Sequence, residues 1–437
     1  MSASTTKKNR VAARAEGSDK KTVAARKEAE KKRKDKIKWT IIGCVVFVFI
    51  VAIIYLNSGL FFRNATAVSV DIPEYQGEDF TVAADTVDFS VAEVNYMFRF
   101  NYNQFMNSYG SYASMFGLDT SKPLKSQECT MTGEENYTWY DYFMDSAKSQ
   151  LQSYALTAAY AKAAGIEVSD EAMASIDDTV ASLTESAKEN GYNSLKSFLA
   201  TNYGRGCNEQ VFRDIVKLEL TSEAVQDAVM NAKDYSAQEI KDHYATIADD
   251  YDNYSYAYYL VAAETEEAAE GEEVPAPTDE AMAAAKETAQ QIKDAVEAGD
   301  LESAVIAVCG EEVVPVHDGE TEGEAEEGHV HTASTTMTDV QGQTIDSAMA
   351  EWLKSENRQA GEMEVIEAEG VGYYVVIFND RHTVTEPTEE SGDVPYCDYI
   401  AEQLLRGNDL DAWNEAVFSK LAEGASVDKG FGARYVG

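Results

Sequence analysis

Cysteine is scarce and poorly spaced for metal. The 437 residues include 5 Cys, with no CxxC pair anywhere, and Cys129, Cys207, Cys309 and Cys397 lie far apart. A structural zinc site draws paired ligands from closely spaced positions, so the spacing argues against that class. One or two disulfides outside a membrane stay open, with no pairing fixed by sequence. Also missing are a glycine-rich nucleotide loop, a Ser-His-Asp order and an HExxH motif, which leaves a hydrolase reading without support. Positive charge is outnumbered where most of the chain lies. There are 36 Lys/Arg against 77 Asp/Glu, a net −41, and residues 1–38 carry +9, leaving −50 on the remainder. Such an acidic portion repels a phosphate backbone, which excludes nucleic acid as its partner.

Long apolar runs are also missing, with one exception. Between Trp39 and Phe62, the stretch Ile41 to Leu56 contains no charge. At about 1.5 Å rise per residue, a helix of this span crosses a hydrocarbon core about 30 Å thick. The segment before it, Lys31-Lys-Arg-Lys-Asp-Lys-Ile-Lys38, is strongly basic. The positive-inside rule then puts the N-terminus in the cytoplasm and everything after Arg63 outside. The run is too long for a cleaved signal core, so a single-pass cell-membrane anchor is expected, with membrane lipid as a partner of the helix and basic tail. Ile41-Ile-Gly-Cys44 looks like a lipidation box but opens the apolar run instead of following it, so Cys44 reads as a small apolar membrane residue.

The exterior portion, roughly 375 residues, is long enough for two or three packed units. Residues 64–90 read as extended or irregular. From Ser90, Val91, Val94, Met97, Phe98, Phe105 and Met106 recur at helical spacing, followed by Tyr109, Tyr112, Met115 and Phe116. Phe143, Ala147, Leu151, Tyr154, Ala155 and Ala158 share one face of the next helix, which stops at Gly165. Further helices follow, including one opened by the capping box Ser236-Ala-Gln-Glu239. At Tyr254–Val261 the composition turns to strand formers. An acidic linker, a helix capped by Thr278, a short helix over Leu301–Val308, a helix over Ile345–Ser355 and a hairpin ending in Tyr373–Phe378 complete a strand-helix-helix-strand module. Residues Tyr396 to Leu421 return to helix. His317, His329 and His331 lie in a low-complexity Glu/Gly loop where nothing fixes ligand geometry. No metal and no cofactor are expected. The fold class is α+β, mainly α, divided into a basic tail 1–38, an anchor 39–62, a helical region 63–253 completed by 392–437, and the α+β module 254–388.

Four stretches in this order resemble the SurA/PrsA family of extracytoplasmic foldases. Ala163-Ala-Gly-Ile-Glu-Val-Ser-Asp-Glu171 is similar to a link between that family's chaperone helices, and Tyr235-Ser-Ala-Gln-Glu-Ile-Lys-Asp-His-Tyr244 to the helix before its isomerase domain. Tyr256-Ala-Tyr-Tyr-Leu-Val261 and Gly372-Tyr-Tyr-Val-Val-Ile377 stand where parvulin-type peptidyl-prolyl isomerases carry two strand motifs. The resemblance covers most of residues 80–430. It implies a helical chaperone module with an inserted parvulin-like domain. It also aligns Tyr258 and Tyr374 with two active-site histidines and sets Cys309 near a third active-site position. The family's glycine-rich segment has no counterpart, and the acidic histidine loop fills that interval.

Prolyl isomerisation needs an apolar pocket and polar groups that favour the twisted amide over the planar one, against a barrier of about 18–20 kcal/mol. Tyrosine hydroxyls differ from imidazoles in length and donor geometry, so Tyr258 and Tyr374 are either catalytic substitutes or strand core. Met97, Phe98, Phe105 and Met106 are either an adaptable client-binding surface or ordinary helical core. The function expected is that of a membrane-anchored foldase or chaperone that binds unfolded, newly secreted polypeptides. An active peptidyl-prolyl isomerase and an envelope scaffold without client handling are the alternatives.

Overall fold

In the computed structural model, residues 7–9, 20–265, 275–313 and 332–437 are described. His317, His329 and His331 fall outside them. The chain is α+β with helix predominating, as the sequence predicts. It divides into two compact units, Met1–Val229 with Leu410–Gly437, and Met230–Asp409. The basic tail and apolar run form one helix, α1 (Lys20–Asn57). Within it, Lys31–Tyr55 is long and apolar enough to cross a membrane, and none of that window is buried in the protein.

The first unit continues with α2 (Leu60–Asn64) and β1 (Thr66–Ile72). A two-residue-per-strand hairpin, β2 (Tyr75–Gln76) and β3 (Thr81–Val82), leads to β4 (Asp85–Ser90), which runs antiparallel to β1. Ser90 then opens α3 (Val91–Tyr109) through a complete capping box with Glu93, satisfying two amides that a helix start leaves without partners. Thr138 and Asp141 do the same for α4 (Trp139–Ala164), which Gly165 ends in a left-handed conformation. Three more helices follow, α5 (Asp170–Glu189), α6 (Leu195–Asn202) and α7 (Glu209–Met230).

The apolar stripes of α3 and α4 face each other and make the core of this unit. Phe105 meets Trp139 at 5.1 Å between ring centroids, and Phe98 meets Phe143 edge-on at 6.1 Å. Met97, Phe98 and Phe105 are therefore core residues and not a client-binding surface, and Met106 packs half-buried against the same cluster. The reason is the matching stripe on α4, where Phe143, Ala147 and Leu151 are all fully covered.

The second unit starts with α8 (Ala237–Tyr251), whose capping box Ser236–Glu239 is present in both halves. Its sheet has the order β6-β5-β8-β7, all antiparallel. Strand β5 (Asn253–Ala262) is followed by α9 (Asp279–Ala295) and α10 (Leu301–Cys309). Then come β6 (Thr335–Gln341), α11 (Ser347–Leu353), β7 (Met363–Ala368), β8 (Gly372–His382) and α12 (Tyr396–Trp413). Alternate residues of β5 and β8 point to opposite faces. Tyr259, Tyr373, Val375 and Ile377 join α9 and α10, whereas Tyr254, Tyr256, Val376 and Phe378 join Met349 and Leu353 of α11. Gly372 permits the close pairing at the end of β8, because a Cβ there would lie 2.1 Å from the Val261 carbonyl oxygen. An ionic lock holds the start of β5. Arg381 Nε donates to Asp252 at 2.8 Å, Tyr244 donates to the other Asp252 oxygen at 2.9 Å, and Asp252 is only 5% exposed.

The chain re-enters the first unit within α12. A π-helical turn, Asn414–Phe418, separates α12 from α13 (Ser419–Gly424), where one helix to Leu421 is expected from sequence. Strand β9 (Ser426–Lys429) then pairs with β1, giving the sheet order β4-β1-β9. A 3₁₀ turn, Phe431–Tyr435, closes the chain.

Candidate functional site

The two strand motifs singled out in the sequence become hydrogen-bonded neighbours. Tyr256–Val261 of β5 runs against Tyr373–Phe378 of β8 at the centre of the sheet. Tyr258 sits opposite Val376 and Tyr374 opposite Leu260, so both phenols emerge on the α11 face. Their rings meet edge-on, 5.7 Å between centroids, and Tyr256 continues the row 6.0 Å from Tyr258. Both Tyr258 and Tyr374 are half-buried. Burial, then the Asp346 carboxylate and Tyr258, push the Tyr374 phenol above its ordinary value. Tyr374 thus stays protonated, a hydrogen-bond donor throughout the neutral range. Asp346 is fixed by its role as N-cap of α11, accepting from the Ala348 amide at 2.9 Å.

Cys309 does not join them. It ends α10 on the opposite face of the sheet, among the residues packed with Ala289 and Val305. There it meets the Tyr259 hydroxyl, whose value is raised chiefly by burial and further by Cys309. The structure therefore brings two of the three expected residues together and separates the third. Among the described residues no two cysteines form a disulfide.

A second place has the shape of a binding site and was missed in the sequence. In the first unit two adjoining clefts, ≈ 440 Å³ and ≈ 720 Å³, share Val87, Ala158, Lys162 and Leu218. Their floor is the small-residue face of α4, with Ala155, Ala159 and Ala163 beside Ala158. One wall is β4, through Asp85, Val87 and Phe89, and the other is α7, through Asp214, Lys217 and Leu218. Strand β4 lies at the edge of its sheet, pairing only with β1. Its outer edge therefore presents backbone donors and acceptors along a trough with an apolar floor and charged walls that include Asp88, Glu93 and Glu167. Ala155 and Ala158 count as ordinary helix-face residues in the sequence; Ala155 is buried in the core, and only the fold reveals the cleft beside the half-buried Ala158.

No protein-family model matches the chain, and no curated protein matches it. Solved structures to which it is similar include the peptidylprolyl isomerase PrsA of Bacillus cereus, at 14% identity and a TM-score of 0.32, covering 66% of this chain and 89% of that one. The foldase protein PrsA of Streptococcus pneumoniae is 15% identical with a TM-score of 0.22, covering 67% and 91%. A SurA-like chaperone of Campylobacter jejuni is 13% identical with a TM-score of 0.23, covering 70% and 96%.

Proposed function

We propose that the chain is a membrane-anchored extracytoplasmic foldase that holds unfolded, newly secreted polypeptides in the alanine-floored cleft of its first unit. The observation that carries this reading is the open, apolar-floored trough beside an unpaired sheet edge. An extended chain laid along β4 gains main-chain hydrogen bonds that do not depend on its sequence, while its apolar side chains enter the trough. This suits a holder of many clients better than a selective enzyme. The small floor residues leave room for varied side chains, and Lys162, Lys217, Asp85 and Asp214 add charged groups to the lining. The test is suppression of aggregation of a chemically unfolded protein by the full-length chain in detergent. Ala158→Phe fills the trough and is expected to lower suppression several-fold with an unchanged circular dichroism spectrum. Equal suppression by a folded Ala158→Phe variant would reject the cleft.

A second reading, peptidyl-prolyl isomerase activity, is favoured by the Tyr258–Tyr374 pair. Two half-buried phenols on one apolar sheet face offer donors to a twisted amide, at positions where the resembled family has histidines. Cys309, on the other face, has no part in it.

A further inference from the structure

Among the described residues, pockets of the opposite sign in this acidic protein include one lined by Arg99, Lys122 and Lys125, where Lys122 is paired with Asp119, and one whose cations are all clear of salt bridges. The latter opens at Ser58, three residues beyond Tyr55, where the candidate membrane span ends. Arg63, Lys196 and Arg205 line it, and no Asp or Glu does, in a chain whose net charge is −41. Among the described residues none of the three is in a salt bridge; Arg63 Nη1 donates only to the Gly206 carbonyl, at 3.5 Å. The cavity holds ≈ 250 Å³.

The pocket is built by close backbone packing. Gly59 and Gly206 both have left-handed backbones, with φ of 77° and 93°. A Cβ on Gly206 would stand 2.6 Å from Phe62 Cβ, and one on Gly59 would stand 3.3 Å from the Gly206 Cα. Only glycine lets the loop before α7 approach α2 this closely. Cys207 fastens that loop, its buried thiol donating to the Ala92 carbonyl at 3.2 Å. The surroundings suit a membrane surface. Leu60 and Tyr435 are each 42% exposed and Phe431 64%. Phe61 meets Tyr435 edge-on at 5.1 Å, and the Arg434 guanidinium lies 4.0 Å over Phe431. Exposed aromatics beside cations at the end of a membrane span are how proteins sit in the headgroup layer.

We propose that this pocket binds the phosphate of an anionic phospholipid headgroup in the outer leaflet, docking the first unit on the membrane. The proposal rests on the anchor reading of α1, which sets the pocket at headgroup depth. Arginine and lysine recognise phosphate by charge-assisted hydrogen bonds that strengthen where water is partly excluded. Three cations clear of carboxylates supply them at the end of the candidate span.

The test is native mass spectrometry of the full-length chain in detergent, with dioleoyl phosphatidylglycerol or phosphatidylcholine added. The wild type is expected to retain one phosphatidylglycerol more than Lys196→Gln/Arg205→Gln, two exposed positions whose replacement leaves the Arg63–Gly206 contact intact. The basic tail contributes the same background to both chains. Equal lipid counts, equal retention of phosphatidylcholine, or release of the extra lipid by millimolar inorganic phosphate would each overturn the proposal, the last by making free phosphate the ligand. Alkaline carbonate extraction of membranes examines the anchor separately. Release of the chain there would refute the anchor without altering the lipid count in detergent.

Discussion

Tyr258 and Tyr374 show what single residues can and cannot establish here. Each lies in a strand-forming run, and their alternation puts both on one sheet face, which the 5.7 Å ring contact bears out. In the holding account these rings pack the sheet, and X-Pro isomerisation by the full-length chain stays at the uncatalysed rate of tens of seconds or longer. The double variant Tyr258→Phe, Tyr374→Phe is then expected to leave both that rate and aggregation suppression unchanged. Catalysis that falls in the variant, followed with a proline-containing peptide, would establish the isomerase instead. Met97, Phe98 and Phe105 teach the converse lesson. Their helical spacing is legible in the sequence, but an apolar stripe has the same period whether it lines a groove or a core. Which of the two it lines depends on the facing stripe of α4, a tertiary fact.

At the level of elements, strong local signals were readable and borrowed ones were not. The capping box at Ser236 and the apolar runs of β5 and β8 declare themselves, because capping chemistry and burial on both faces leave a compositional mark. Strands β6 and β9 do not. Thr335–Gln341 is mostly exposed and Ser426–Lys429 spans four residues, so each is held by the backbone of its neighbour and carries no pattern of its own. The entry to β6 is fixed by one carboxylate. Glu302 of α10 accepts from the amides of Ala333 and Ser334 at 2.9 and 2.8 Å and from the Ser334 hydroxyl at 2.6 Å. Burial opposes its ionisation, but these donors outweigh burial and hold the carboxyl below its ordinary range. A depressed carboxyl stabilises above the unfolded value, about 4.3, and loses that contribution as pH falls through its folded value. Hydrogen exchange at Ala333 and Ser334, corrected for intrinsic rate, is therefore expected to accelerate below about pH 4. Glu302→Gln should show the faster exchange already at neutral pH. Protection independent of pH would remove Glu302 from this role.

For the whole molecule, charge and topology bear on the same function. The −50 beyond residue 38 discourages self-association of a protein that carries an open, apolar-floored trough. The chain enters the second unit after Val229 and leaves it at Asp409, so the α+β module is an insertion into the unit that carries the cleft. The order of helical region, α+β module and final helix was legible because periodicity changes sharply at Tyr254 and again at Tyr396. The cleft was not, since an absence of covering residues leaves no trace in a sequence. The most direct measurement is hydrogen exchange of the full-length chain in detergent, with and without a permanently unfolded, carboxymethylated polypeptide. The holding account expects new protection confined to the outward amides of Asp85–Ser90, and its loss in Ala158→Phe. Unchanged exchange along β4 while the polypeptide is bound would contradict it.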